Sequence, residues 1–180
     1  MLKEILDRKS PKFFLQNHVI QESQIYKLID AARRAPSSFN EQPWRFIVAG
    51  FQTDEFNRVI ESLNAKNQEW AKNCSLLIIS GISYSRSEYS DRDIQHMELG
   101  LAVSFLLIQG ESLGLQSRII GGFNKPLLIN KFVNVIDWEP VVVIGVGVRD
   151  DTRDISNLEL QRKPIEEIAQ FFLKPHENVI

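Results

Sequence analysis

The sequence predicts a single domain in which α-helices and β-strands are both major elements. Its 180 residues suit one domain, because 43% hydrophobic residues can fill a core and 24% charged residues can cover it. Apolar residues recur with helical spacing, most clearly in segments 23–34 and 94–113. The β-branched run at 140–148 predicts a buried strand. We therefore expect one domain over residues 1–180.

Composition and charge exclude several classes of function. A net charge of −2 provides no basic surface for nucleic acid. Cys74 is the only cysteine, which excludes an intrachain disulfide and is more typical of a buried thiol than of a nucleophile. His96 has no second histidine or cysteine at metal-ligand spacing, so no metal site is predicted. The sequence shows no signal peptide, and its most apolar run, 99–108, is too short for a bilayer. We therefore expect a cytoplasmic protein that is not bound to a membrane.

Periodicity and breaker residues predict the individual elements. Ser23 is the expected N-cap of the helix that follows it, and Gly114 is expected to end the long helix in a left-handed conformation. Segment 81–93 lacks periodicity and is predicted to be a loop. The predicted helices span 2–8, 23–34, 54–63, 94–113, 124–132 and 165–172, and the predicted strands span 44–48, 76–79 and 140–148.

A polar loop follows the second predicted helix. Pro36 stops that helix, and Ser37, Ser38, Asn40 and Gln42 then place four hydrogen-bonding side chains within six residues. Short amides and hydroxyls between two ordered elements are suited to binding the edge of a planar polar ligand. The alternative is a connection whose serines and asparagine bind their own backbone, and the local pattern alone favours that alternative.

A basic segment lies near the N-terminus. Arg8, Lys9 and Lys12 place three cations within five residues, with the hydroxyl of Ser10 among them. Such a group can hold a phosphate, because arginine offers a planar fork and lysine a point charge. A solvated basic stretch is the alternative, and it is favoured when this segment is considered alone.

Glycines and an amide provide further candidate ligand contacts. Gly121 and Gly122, which follow Ile120, allow a flat ligand to approach the backbone, or they form a turn before the next helix. Asn67 is equally compatible with a binding residue and a turn residue.

Four segments resemble the FMN-dependent nitroreductase family. APSSFNEQPWRF, at 35–46, resembles the family's A-P-S-S-x-N-x-Q-P-W-x-F, and RKSPKF resembles R-x-S-x-[RK] followed by an aromatic residue. SLGLQSRIIGGF resembles A-L-G-L-x-S-x-x-I-x-x-F, and PVVVIGVG resembles P-x-x-x-I-x-x-G. The four segments occur in the family's order, and the resemblance extends over nearly the whole length of the chain.

The resemblance implies an α+β, nitroreductase-like three-layer fold, in which helices flank a central, mainly antiparallel sheet. It also implies an intertwined homodimer with FMN at the interface. Arg8, Ser10, Lys12 and Arg162 would come from one subunit, with Arg8 and Arg162 on the phosphate and Lys12 near N1 and O2. The other subunit would contribute its serine–asparagine loop. The full set of candidate cofactor-binding residues is Arg8, Lys9, Ser10, Lys12, Pro36, Ser37, Ser38, Asn40, Gln42, Asn67, Ile120, Gly121, Gly122 and Arg162.

The activity implied by the resemblance is electron transfer from NAD(P)H to a nitroaromatic, a quinone or a similar small-molecule acceptor, by a ping-pong mechanism. No catalytic residue is assigned, because the cofactor performs the hydride chemistry. Two departures affect the site: Gly121 replaces a glutamate found in some relatives, and Leu160 replaces a lysine. The alternatives are a flavin carrier or sensor, an ene-type reductase or dehalogenase, and a flavin-free structural domain.

Overall fold

Four antiparallel strands form the central sheet of this computed structural model, which describes residues 1–84, 91–133, 136–153 and 161–173. They are β1 (Trp44–Gly50), β2 (Leu76–Ile82), β3 (Gln116–Ile120) and β4 (Glu139–Gly147), in the order β1-β2-β4-β3. Ile79 of β2 lies opposite Ile47 on one side and Val143 on the other. The antiparallel sheet predicted from the family resemblance is confirmed.

Seven α-helices accompany the sheet in the described part of the chain. A single 3₁₀ turn at Ser38–Asn40 precedes β1. The helices are α1 (Lys3–Asp7), α2 (Glu22–Ala32), α3 (Asp54–Ser62), α4 (Ala65–Ala71), α5 (Arg92–Ser112), α6 (Lys125–Lys131) and α7 (Ile165–Ile168). None of the helices in the described ranges has the length and apolar character needed to cross a bilayer.

Helices cover both faces of the sheet, which produces three layers. Strand β2 is buried along its whole length, and its side chains alternate between the faces. Ile78 points into a cluster with Leu28 of α2 and Leu106 of α5. Ile79 points into the opposite cluster, with Phe56 of α3 and the residues of α4 and α6 that pack there. The three-layer arrangement is therefore confirmed.

Side chains that bind backbone N–H groups define most helix starts. Thr53, Asn64 and Asn124 each accept a hydrogen bond from the N–H three residues later. The prediction of Ser23 as the cap of α2 is wrong, because the helix begins one residue earlier behind Gln21. Gln24 accepts the N–H of Gln21 at 3.2 Å, which completes a reciprocal capping box.

Two predicted boundaries are also wrong. The last helix ends at Ile168 instead of continuing to residue 172, because Ala169 has extended backbone angles and the apolar side chains beyond it are exposed. The predicted loop 81–93 is shorter at both ends. Strand β2 continues to Ile82, which pairs with both Trp44 and Glu139, and α5 begins at Arg92. Residues 85–90 of this loop lie outside the described residues.

Candidate cofactor site

A basic cleft lies at the end of the sheet where β3 begins and β4 ends. Gln116 and Gly147 pair at this end. The cleft has a volume of about 1060 Å³. Its lining includes Arg8, Lys9 and Arg162, three residues that the sequence predicts to bind the cofactor. Residues from the start, middle and end of the chain therefore meet here.

The cleft keeps a positive character despite its carboxylates. Lys3 pairs with Asp7, and Nε of Arg149 lies 2.5 Å from Oδ1 of Asp151. No carboxylate of the described residues forms an ion pair with the guanidinium groups of Arg8 or Arg162 or with the ammonium of Lys9. These three cations suit a phosphate, which accepts charge-assisted hydrogen bonds from several donors.

Glu111 is a partly buried carboxyl group in the lining of the cleft. Burial raises the pKa of Glu111 above its ordinary value, and the Gln116 side chain and the charge of Arg8 oppose that rise only in part. The neutral form of this carboxyl is therefore more accessible than that of an exposed glutamate.

The N-terminal arm is held against the end of β4. The N–H of Leu15 donates to the carbonyl of Val148 at 2.8 Å, and the N–H of Asp150 donates to the carbonyl of Phe13 at 3.1 Å. Phe14 is fully buried and stacks on Trp70, with 5.9 Å between the ring centroids. This anchoring places segment 8–12 beside the cleft, with the side chains of Ser10 and Lys12 exposed on the arm.

The glycine pair lies beyond the other end of β3. A Cβ on Gly121 would meet no atom within 4 Å, so this glycine leaves open space beside the backbone. A Cβ on Gly122 would lie 2.3 Å from Nδ2 of Asn64. Asn67 donates from Nδ2 to the carbonyl of Gly122 at 3.1 Å. The two glycines thus have different surroundings, because a Cβ at Gly122 would displace the Asn64 side chain whereas Gly121 faces an open region.

Strand β3 connects the basic cleft to the glycine pair. Its five residues, at about 3.4 Å each, span roughly 17 Å from Gln116 to the turn at Gly121. An extended ligand with an anionic group at one end and a flat polar ring at the other would match these two environments. FMN has this form, so the donor set and the open glycine fit this cofactor.

The serine–asparagine loop has a strained backbone. Phe39, Asn40 and Gln42 have φ values of 52°, 58° and 50°, in the left-handed region that residues other than glycine rarely occupy. Oγ of Ser37 accepts the N–H of Gln42 at 3.0 Å, and Nε2 of Gln42 donates to the carbonyl of Asn40 at 3.1 Å. The bonds to its own backbone are consistent with a structural connection. The backbone strain is consistent with a binding loop, because such strain is concentrated at functional sites.

One chain alone does not bring all the predicted residues together. The loop with Pro36, Ser37 and Ser38 precedes β1, whereas Gly121 follows β3, and these strands form opposite edges of the sheet. Three strand spacings separate the edges, which amounts to at least roughly 14 Å. Arg8 and the other cleft cations lie at the opposite end of the strands as well. Ile120 is buried in the core, so its backbone alone is available to a ligand.

A charged network connects β4, α5, α6 and the loop after β2 at the sheet end opposite the cleft. The hydroxyl of Tyr84 donates to Oε2 of Glu139 at 2.6 Å, and Nζ of Lys125 donates to Oε1 at 3.0 Å. Arg92 pairs with the same carboxylate and donates from Nε to the Tyr84 hydroxyl at 2.9 Å. The bonds from Tyr84 and Lys125 lower the pKa of Glu139 to about 2.

Two residues near the site were not identified as candidates in the sequence. Arg118 in the middle of β3 contacts Trp70 and Pro11, and Glu98 in α5 binds the backbone of the serine–asparagine loop. No local pattern marks either residue, because each acts through partners that are distant in sequence. The described residues contain no group of three or more histidine, cysteine, aspartate or glutamate side chains arranged to hold a metal.

A family model described as the nitroreductase family matches residues 5–148. The chain belongs to the nitroreductase family. The Bacillus subtilis protein named "Putative NAD(P)H nitroreductase YodC" is 24% identical over 173 residues, which cover 78% of this chain and 85% of that protein.

Solved structures of similar proteins support the fold. A structure described as an oxidoreductase containing FMN is 26% identical, with a TM-score of 0.79 over 94% of this chain and 90% of that one. A nitroreductase family protein from Streptococcus pneumoniae is 21% identical, with a TM-score of 0.79 over 94% and 98%. A structure from Exiguobacterium sibiricum, solved in complex with FMN, is 19% identical, with a TM-score of 0.79 over 94% and 96%. The nitroreductase-like fold predicted from the sequence is thereby confirmed.

Proposed function

We propose that this protein is an FMN-dependent oxidoreductase that moves electrons from NAD(P)H to a nitroaromatic, a quinone or a similar small acceptor by a ping-pong mechanism. The observation that carries the proposal is the geometry of β3. This strand leads from a cleft with three unpaired cations, among the described residues, to the open backbone at Gly121. Family membership and the FMN named for two structural neighbours support the same cofactor.

Each part of the site has a binding role in this proposal. Arg8, Lys9 and Arg162 hold the phosphate, and Ser10 and Lys12 bind along the ligand from the N-terminal arm. Gly121 leaves room for the flat ring. When bound, FMN supplies two-electron hydride chemistry. The protein residues bind and orient it and leave one face of the ring accessible to donor and acceptor in turn.

We further propose a homodimer in which the serine–asparagine loop of one copy completes the cofactor site of the other. Two observations support it. Within one chain the loop and the cleft are separated by the width of the sheet and lie at opposite ends of its strands. Met97 and Phe105, two turns apart on α5, are 58% and 43% exposed. Ile119 of the neighbouring strand β3 is 46% exposed, so an apolar surface is available to a second copy.

The decisive experiment is an absorption spectrum of the purified protein, followed by anaerobic titration with NADH and with NADPH. The proposal predicts a yellow protein whose flavin band is bleached by at least one nucleotide and restored by a quinone or nitroaromatic. A yellow protein inert to both nucleotides would instead indicate a carrier or sensor. A colourless protein that binds no added FMN would contradict the proposal altogether.

The phosphate assignment has a separate test. Replacing Arg8 and Arg162 together by methionine should weaken FMN binding by about a hundredfold or more, because each of the two charge-assisted contacts contributes about 1.5–3 kcal/mol. Binding of riboflavin, which lacks the phosphate, should change little. Arg58→Met, on the exposed side of α3, is the matched control. Equal losses for FMN and riboflavin would argue against the assignment.

The cytoplasmic location and the single domain over residues 1–180 remain predictions. Cell fractionation tests the location, and limited proteolysis followed by mass spectrometry tests whether the chain behaves as one protected unit.

A further inference from the structure

Arg118 lies midway along the strand that connects the two ends of the candidate site. It is the third residue of β3, two residues after Gln116 in the basic cleft and three before Gly121. Its side chain is half-buried. Alternation along the strand places it on the same face as Ile120, which belongs to the core cluster that includes Phe14.

The guanidinium group of Arg118 rests on residues that adjoin the predicted cofactor contacts. Its Cζ lies 4.5 Å from the centroid of the Trp70 ring, and one terminal nitrogen donates to the carbonyl of Pro11 at 3.4 Å. Pro11 lies directly between Ser10 and Lys12 in the sequence. Trp70 is itself held in place, because Nε1 donates to Oδ1 of Asn67 at 3.3 Å and Phe14 stacks on its ring.

This cation has no counter-charge among the described residues. Arg33, Arg92 and Arg149 each form an ion pair with a carboxylate, whereas Arg118 contacts a neutral carbonyl and an aromatic face. A half-buried cation without an anionic partner has an unfavourable desolvation free energy. A ligand that supplies negative charge offsets this cost. Its charge also acts on the core. Burial raises the pKa of the Cys74 thiol, and the positive charge of Arg118 reduces that rise.

We propose that Arg118 is a binding residue for the pyrimidine edge of the flavin, where it stabilises the negative charge that the reduced ring carries near N1 and O2. This inference rests on the function proposed above. The ring edge is favoured over the phosphate, because Arg118 does not line the basic cleft that holds Arg8 and Arg162. Its bond to the Pro11 carbonyl instead holds it against the segment that carries Lys12. In this proposal the two side chains supply positive charge to the same part of the ring.

The test compares Arg118→Met, which keeps an apolar stem over Trp70 without the charge, with Arg118→Lys, which keeps a charge. Three quantities are measured: the free energy of unfolding without flavin, the dissociation constants of FMN and riboflavin by fluorescence quenching, and the midpoint potential of the bound flavin. Arg58→Met is the control for loss of a surface arginine.

In Arg118→Met, we expect binding of the reduced flavin to weaken about tenfold more than binding of the oxidised flavin. For a two-electron couple this corresponds to a midpoint potential about 30 mV lower. In Arg118→Lys, the midpoint potential should fall by no more than half of the fall in Arg118→Met. Affinities for FMN and riboflavin should fall in parallel, because both contain the ring. If Arg118→Met does not fold, Arg118→Gln, whose amide can still donate to Pro11, replaces it.

The outcomes separate this inference from the proposed function. A wild-type protein that binds no FMN would remove both. Flavin binding with an unchanged potential in Arg118→Met would overturn the role of Arg118 and leave the proposed function standing. Loss of FMN affinity alone, with riboflavin unaffected, would show that the charge acts at the phosphate and would also overturn the assignment. A change confined to the free energy of unfolding would identify a purely structural stacking partner of Trp70.

Discussion

The backbone N–H of Ser38 donates to Oε1 of Glu98 at 2.7 Å, although the two residues are 60 positions apart in the sequence. Glu98 is 2% exposed and lies in the second turn of α5. Its carboxylate therefore connects the strained serine–asparagine loop to the long central helix. This bond provides part of the stabilisation that three left-handed residues in the loop require.

Removing the Glu98 carboxylate should release the loop. Glu98→Ala leaves the Ser38 N–H without its partner, so we expect the free energy of unfolding to fall by about 1–3 kcal/mol. Glu98→Gln retains an acceptor oxygen and should lose less. Denaturant unfolding measures both variants, with Glu69→Ala, at an exposed position of α4, as the control. Equal stability of Glu98→Ala and the wild type would show that this bond does not hold the loop.

The two neighbouring glycines should respond differently to an added methyl group. Gly121→Ala places its Cβ in open space, so the free energy of unfolding should change by less than about 0.5 kcal/mol. Gly122→Ala displaces Asn64, the N-cap of α4, and should destabilise the fold by about 1–2 kcal/mol. Thermal unfolding measures both effects. Equal losses of stability in the two variants would show that the space beside Gly121 is not open.

The network around Glu139 should stabilise the fold at neutral pH and lose that effect in acid. Its pKa is about 2 in the folded protein, against an ordinary value of 4.5. The unfolded chain therefore binds a proton first as the pH falls. The contribution is complete above about pH 4.5 and disappears as the pH approaches 2.

The free energy of unfolding of Glu139→Gln should accordingly be about 1 kcal/mol lower than that of the wild type at pH 7. The value is modest because solvent reaches the network. The difference from the wild type should shrink between pH 4.5 and pH 2. Denaturant titrations at a series of pH values measure it, with Glu69→Gln as the control. A difference that stays constant over that range would show that the carboxylate charge is not responsible.

A charge on the exposed face of α5 should separate the proposed dimer. Phe105→Glu introduces a carboxylate into the apolar surface that also contains Met97 and Ile119, so burial against a second copy becomes costly. Light scattering should give the mass of one chain instead of two, together with weaker FMN binding. Tyr26→Glu, on the exposed side of α2, is the control. A wild-type protein that is already monomeric would contradict the proposed assembly.

The sequence predicts most of the fold because its strongest signals are local. The helical spacing at 94–113 and the β-branched run at 140–148 correspond to α5 and β4 to within two residues at each end. Strand β3 was not predicted, because its first three residues, Gln116, Ser117 and Arg118, carry no strand pattern. This strand depends on backbone bonds to β4, which no local pattern reveals.

The candidate site was predicted in outline only, for the same physical reason. Motif resemblance identified Arg8 and Arg162, the cluster of three cations identified Lys9, and the structure places all three residues around one cleft. The importance of Arg118 depends on a contact with Pro11, which is 107 positions away. The left-handed backbone of Phe39 likewise has no sequence signal, because an aromatic residue is among the least expected at such angles.

The attachment of the N-terminal arm to the end of β4 joins segments of the cleft that are far apart in the sequence. Phe14 forms a backbone bridge with Arg149, and Arg162 of the same cleft lies further along the chain. A nascent chain on the ribosome therefore cannot complete this cleft until residue 162 has emerged. Under the proposed function, a truncated product that stops before residue 149 would not retain FMN.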